Sequence, residues 1–154
     1  MNEWGQHATA IGLMTIYFSH LDHAIADVIG AMLGDQSAAE SRTKTMTFGK
    51  RLETMRQLAD EKMSSDLCQQ LNQIADEAEV LSGCRNDIVH ALWWLDPMDR
   101  HSPVSSRRIK PMKGQDLPPE HPTPNAQDIE ALAVSMSECA DDFYELLDRY
   151  EGRR

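Results

Sequence analysis

Cysteine, aromatic residues and glycine are all scarce in this chain of 154 residues. The three cysteines, Cys68, Cys84 and Cys139, are odd in number and form no C-x-x-C pair. Neither a disulfide framework nor a zinc knuckle is signalled, and a reducing cytoplasm fits best. Aromatics make up 6% and glycines number eight, against 41% hydrophobic residues, a balance that favours a helix-rich globular protein over a sandwich or barrel. The apolar segment Ala8 to Phe18 is too short to span a bilayer, and Glu3 stands where a signal peptide would carry basic residues. We therefore expect no membrane span and no targeting signal. The length suits a single domain over 1–154, large enough to bury a core without staples.

Positive charge is also in short supply. A net charge of -10 argues against a protein that coats nucleic acid indiscriminately, because the phosphate backbone attracts clustered Lys and Arg. The local balance differs. Met98 to Lys113 holds five basic residues (Arg100, Arg107, Arg108, Lys110 and Lys113) against the single acid Asp99, which is +4 there and leaves -14 on the rest. An acidic body presenting one cationic flap is compatible with an RNA or an acidic partner, and equally with a merely solvated loop.

Helical periodicity dominates what is present. Ile11, Met14, Phe18, Leu21, Ile25, Val28 and Met32 are spaced three or four apart, which predicts a first helix from about Glu3 to Leu33 stopped by Gly34. Tyr17 and Ile29 widen the stripe, as burial against two neighbours or a second subunit requires. His20, Asp22, His23 and Asp27 lie along its flank; the His-x-x-His pair reads as surface polarity rather than a metal site, since no further ligand is near in sequence. Asp35 to Thr47 is polar and turn-like, and Thr47 caps a second helix carrying Phe48, Leu52, Met55 and Leu58. Lys50, Arg51 and Arg56 form a cationic outer face on it.

A third helix starts near Ser64 or Ser65 with Leu67, Leu71, Ile74, Ala78 and Leu81 on one face. The same rhythm continues through Arg85, Ile88 and Leu92, and the apolar run to Leu95 is expected to stay helical until Asp96-Pro97 ends it. All seven prolines fall between Pro97 and Pro124, so 95–124 is a loop or hairpin insert, with a short strand expected at Val104 to Ile109 and mobility at Gly114 to Pro124. Asn125 caps a last helix whose stripe is Ile129, Leu132, Met136, Cys139, Phe143, Leu147 and Tyr150. Cys68, Cys84 and Cys139 read as packing residues. The expected fold is all-α, a four- to five-helix up-and-down bundle with a Pro-rich basic insert before its last helix.

Chemistry concentrates in Ser82 to Trp94. Arg85 occupies a seam position, where a charge needs a partner or a ligand because an unpaired buried charge is costly. His90 is an imidazole able to move a proton near neutral pH, and Asn86 and Asp87 lie between the two. A structural ion pair of Arg85 with Asp87 or another helix's carboxylate is the non-functional alternative. In an unbroken helix Arg85 and His90 are about 140° apart around the axis and about 7.5 Å along it, so they would not converge on one phosphate. Either the helix is distorted near Gly83, or copies from two subunits combine across a two-fold axis, which the wide apolar stripes favour. Trp93 and Trp94 either pack over the cleft or stack with a base, with core packing expected for at least one.

Arg85, four residues, then His90, with Asn86 directly after the arginine and long helices on both sides, resembles the R-x4-6-H signature of the HEPN superfamily of small all-helical proteins. Thr47 to Leu52, T-F-G-K-R-L, is similar to the same family at that point. The resemblance implies a HEPN-type bundle, a homodimer with the motifs facing a shared cleft, and a metal-independent endoribonuclease needing no cofactor, such as a toxin or phage-defence effector. It implies His90 as general base or acid, Arg85 stabilising the phosphoryl charge, and Asn86 binding the phosphate or orienting a catalytic side chain. Asp87 is a possible accessory. Asp22 and Asp27 are acidic candidates on the first helix that no motif fixes. RNA is the implied substrate, with an antitoxin or regulatory protein as a possible partner. A toxin branch of the family extends the motif to R-x4-H-x-Y, but Leu92 stands at the tyrosine's position, which puts control by tyrosine modification in doubt. The alternative function is a catalytically silent helical dimer that binds a partner protein or nucleotide.

Overall fold

The computed structural model describes residues 3–94, 104–108 and 123–152. Among them the chain forms α1 (Glu3–Leu33), α2 (Gln36–Thr43), α3 (Phe48–Lys62), α4 (Ser65–Val89), a two-stranded ribbon of β1 (Ala91–Trp94) and β2 (Ser105–Arg108), and α5 (Ala126–Glu151). This is an all-α helical bundle, as expected. Helix α1 is the spine: it packs most extensively on α5 and also touches α2, α3 and α4.

Local chemistry sets most helix ends. Gly34 takes φ +70 and its N–H donates to Gly30 O (2.9 Å) and Ala31 O (3.2 Å), so the spine stops where a left-handed residue is cheapest. Thr47 Oγ1 accepts from the Lys50 N–H (3.3 Å), Ser64 Oγ from the Leu67 N–H (3.5 Å) and Asn125 Oδ1 from the Asp128 N–H (2.8 Å). Each cap satisfies an amide that the first helical turn leaves unpaired.

The stripes meet in one core. Met14, Leu21, Ile25, Val28, Ile29 and Met32 of α1 are buried with Leu52 and Met55 of α3, Leu67 and Leu71 of α4, and Ile129, Met136 and Phe143 of α5. Ile11, Tyr17, Phe18, Ile74, Leu132 and Leu147 are half-buried around its edge, the last two at the margins of the α5 stripe.

Three expectations are corrected. Residues 36–43 form α2 rather than an open turn: the Ala39 N–H donates to Asp35 O (3.1 Å), and Ala39 and Thr43 turn one small face inward. Helix α2 starts against a gap in the spine. A Cβ on Gly30 would lie 2.0 Å from Oε1 of the exposed Gln36 side chain, so a larger residue there would displace that amide. The third predicted helix does not reach Leu95. It ends at Val89, His90 caps it with φ -94 and ψ 5, and 91–94 become a strand. Ala91 pairs with Arg108 and Trp94 with Ser105 in an antiparallel ladder, which supplies the backbone bonds a further helical turn would have made. The Trp93 indole N–H donates to Ile88 O (2.9 Å), satisfying a carbonyl at the helix end. Finally, Cys84 is exposed rather than packed; Cys139 is buried, and Cys68 is intermediate. Most of the basic insert and the segment Gly114 to Pro122 lie outside the described residues.

Candidate functional site

Helix α4 runs through Gly83 without a break, so no local distortion turns Arg85 and His90 toward each other. Gly83 itself is exposed, and a Cβ added there would meet nothing. Arg85 lies within the helix, and His90, five positions on, is its C-cap residue.

Arg85 projects back across the bundle. Its guanidinium carbon lies 4.8 Å from the centroid of the Phe18 ring on α1, and that ring is 4.9 Å from the ring of Phe48, the first residue of α3. A cation over an aromatic face is attracted by the negative side of the ring quadrupole. Nη1 donates to Oδ1 of Asn86 (3.0 Å), while Nε is shielded from solvent with no acceptor among the described residues. Among the described residues no carboxylate forms an ion pair with Arg85, so the anticipated pairing with Asp87 or an acid of another helix is not made. The charge is held by neutral groups, and its donors are not consumed by an acid.

Asn86 is exposed and has a double role in this turn: its side chain accepts from Arg85, and its backbone carbonyl accepts from the His90 N–H (3.1 Å). His90 is exposed, and its ring makes no hydrogen bond to the described residues. Asp87 is exposed. Arg85 and Asn86 are thus brought together directly, and His90 stands one turn beyond them at the mouth of the ribbon.

The other acidic candidates are engaged elsewhere. Asp22 accepts from Arg51 Nη1 of α3, and Arg51 Nε donates to Thr43 O (3.3 Å), which ties α1, α2 and α3 together. Asp27 sits at the α1, α2 and α5 junction, accepting from Gln36 Nε2 (2.7 Å) and the Tyr144 hydroxyl (3.3 Å), with His23 Nε2 at 3.6 Å. Burial, and then the Asp27 carboxylate beside it, push the Tyr144 hydroxyl up. His20 faces the Tyr144 ring with centroids 5.7 Å apart, so the His-x-x-His pair is divided between an aromatic contact and an acid. Among the described residues no group of three or more His, Cys, Asp or Glu is arranged to hold a metal ion. No described helix is long and apolar enough to cross a membrane.

The cationic face expected on α3 is largely neutralised. Lys50 pairs with Glu53 (2.8 Å), Arg51 with Asp22, and Arg56 with Asp76 (2.8 Å) and Glu79 (3.6 Å) of α4. A cleft of about 410 Å³ lies beside Asp27, Gly34, Gln36 and Glu151, and another of about 680 Å³ lies beside Asp60, Cys68 and Asn72. In the second, the Cys68 thiol donates to Asp60 Oδ1 (3.1 Å), and this bond to a carboxylate, ahead of burial, pushes the thiol up. Such a cysteine is held protonated rather than primed as a nucleophile.

Sequence reasoning missed three residues here. Phe18 and Phe48 read as ordinary stripe positions, yet Phe18 carries Arg85 and Phe48 packs against Phe18. His7 is buried, with Nδ1 2.9 Å from Glu3 O and Nε2 3.2 Å from Pro124 O, and its ring is 5.7 Å from that of Trp93. It joins the start of α1 to the approach to α5, while Glu3 Oε1 accepts from the Val104 N–H (3.3 Å). Trp93, half-buried, therefore packs as expected for one of the two tryptophans. A local signal for the His7 contact does not exist, because its partner is 117 positions away.

Comparison with protein-family models, with curated proteins and with solved structures finds no match.

Proposed function

We propose that this protein is a metal-independent endoribonuclease of HEPN type that acts as a homodimer, with Arg85, Asn86 and His90 of two copies facing a shared cleft. The observation that carries this is the state of Arg85: a guanidinium fixed over Phe18, without a carboxylate partner among the described residues and one helical turn from an exposed His90. A structural arginine inside a chain of net charge -10 has many acids to choose from; this one is paired with none of those described. An unpaired guanidinium suits a phosphate, which completes its donors with charge-assisted hydrogen bonds.

The chemistry follows from the residues. His90 of one copy takes the proton of an RNA 2'-hydroxyl, the 2'-oxygen bonds to phosphorus, and the bond from phosphorus to the 5'-oxygen breaks. The leaving oxygen takes a proton from the second copy's His90, leaving a 2',3'-cyclic phosphate and a 5'-hydroxyl. Arg85 stabilises the charge that grows on the phosphoryl oxygens, with Asn86 holding the guanidinium through Oδ1 and its amide N–H group available to the phosphate. The continuity of α4 supports the dimer, since Arg85 and His90 of a single copy diverge. Toxin or defence roles, and an antitoxin or regulatory partner, belong to the same proposal.

The test is cleavage of labelled tRNA and mRNA in EDTA by the wild type, Arg85→Ala and His90→Ala proteins, with folding and dimerisation measured for each. Cleavage by the wild type alone, giving cyclic phosphate ends, is the expected result. A folded wild type that cuts nothing, or three proteins that cut equally, would favour the silent helical dimer that binds a partner protein or nucleotide. That reading draws on one observation, the occupation of Arg85 by its own Phe18 and Asn86.

A further inference from the structure

Resting on the ribonuclease reading, we propose that Phe48, Phe18 and Arg85 form a nucleobase subsite: Phe48 stacks one base of a single-stranded RNA beside the phosphate held by Arg85. The three side chains come from α3, α1 and α4 and lie in sequence, with the aromatic centroids 4.9 Å apart, the ring planes tilted by 37°, and the guanidinium carbon 4.8 Å from the Phe18 centroid. Arg85 covers one face of Phe18, and Phe48 is the half-buried ring beside it.

Placement separates this pair from core packing. The chain has only three phenylalanines; Phe143 lies fully buried at the centre, whereas Phe18 and Phe48 are half-buried at the rim, on the side of the bundle where Arg85 emerges. Beside Phe48, Gly49 is exposed, and a Cβ there would meet nothing within 4 Å, so the surface at the start of α3 is uncrowded. An aromatic ring next to a cation is the combination by which proteins hold unpaired nucleotides, the ring taking a base face and the cation the adjacent phosphate. Two steps of under 5 Å separate the guanidinium from the Phe48 ring, so base and phosphate would belong to different, nearby nucleotides. A base inside a duplex has both faces covered by its neighbours, so the subsite selects single strands, loops or bulges. It also gives the Arg85 guanidinium a reason to lie against a ring rather than against an acid. The ring fixes the cation's position without neutralising it.

The experiment uses the His90→Ala protein, which should hold RNA uncut, and an oligoribonucleotide carrying 2-aminopurine, whose fluorescence is quenched on stacking. Binding with quenching is expected, and Phe48→Leu in that background, with folding checked, should weaken binding about tenfold and abolish the quench. Phe48→Trp should retain both and report stacking through its own indole. An oligonucleotide scanned with a single abasic position should lose about the same tenfold at one position when Phe48 is intact, and lose nothing further when the protein carries Phe48→Leu. Should Phe48→Leu fail to fold, the abasic scan on the unaltered ring still decides. Equal affinity for abasic and base-bearing RNA at every position, or an unchanged quench with leucine, overturns the subsite. Wild-type cleavage of RNA alongside either of those results leaves the ribonuclease reading standing, whereas a wild type that neither binds nor cuts RNA removes both.

Discussion

Replacing Arg85 by methionine separates a functional arginine from a structural one. In the folded protein the substitution removes a partly exposed cation–π contact with Phe18, worth about 0.5–1 kcal/mol, and the Arg85–Asn86 hydrogen bond at the surface, worth about 0.5 kcal/mol. It keeps an unbranched stem against Phe18 and adds a sulfur–aromatic contact of about 0.3–1.5 kcal/mol. It also deletes the Nε donor that is hidden from water without an acceptor, a group whose desolvation costs about 1–3 kcal/mol. Gains of about 1.3–4.5 kcal/mol against losses of about 1–1.5 kcal/mol place Arg85→Met between unchanged and about 3 kcal/mol more stable than the wild type. Urea denaturation at fixed protein concentration reads this directly, and in a thermal scan about 1 kcal/mol corresponds to a rise of about 2–4 °C for a chain of this size. Under the proposed function, RNA cleavage should disappear in the same sample. A loss of about 2 kcal/mol or more would refute the reasoning, because it would mean that the guanidinium holds the bundle together, as a buried structural ion does.

Further outcomes follow from the packing. Phe143→Ala empties the site of the bulkiest fully buried side chain and should cost about 3–5 kcal/mol in urea denaturation, with a loss below about 1 kcal/mol contradicting the described core. Gly34→Ala forces a Cβ into a φ of +70 and should destabilise by about 1–2 kcal/mol, whereas Gly83→Ala, in open space on an unbroken helix, should stabilise by about 0.5–1 kcal/mol and leave cleavage intact. Lost cleavage in a stable Gly83→Ala protein would reveal a hinge that the continuous α4 does not have. Burial, followed by Glu77 and Asp142, pushes the Cys139 thiol from 9.0 up to about 12. Its folded value is raised, so its contribution to stability is complete below pH 9.0 and is lost as pH rises toward 12. Urea titrations across that range should fall more steeply for the wild type than for Cys139→Ala, and a thiol reagent at neutral pH should label exposed Cys84 in the folded protein but reach Cys139 only after denaturation.

The long elements were legible in the sequence because their causes are local. Stripes repeating every three or four residues located α1, α3, α5 and the start of α4. Gly34, Thr47, Ser64 and Asn125 marked ends through the conformations and side-chain acceptors those residues supply. Cys139 and Phe143 declared themselves core by position in a stripe. The proximity of Arg85 and Asn86 was equally local, one residue apart on one helix.

What surrounds those elements required three dimensions. Helix α2 has too little apolar surface to announce itself, and it lies against α1 with Ala39 and Thr43 turned inward. Residues 91–94 continue an apolar rhythm that suits either state; pairing with 105–108 made them a strand, and no helical pattern encodes a partner 11 residues or more away. Arg51 looked like surface charge until Asp22, 29 positions earlier, was placed against it. The setting of Arg85 was decided in the same way. Periodicity put a charge on the seam, but only packing of α1 against α4 determined that it would meet the Phe18 ring instead of an acid, because side chains distant in sequence choose their neighbours through the geometry of the whole bundle.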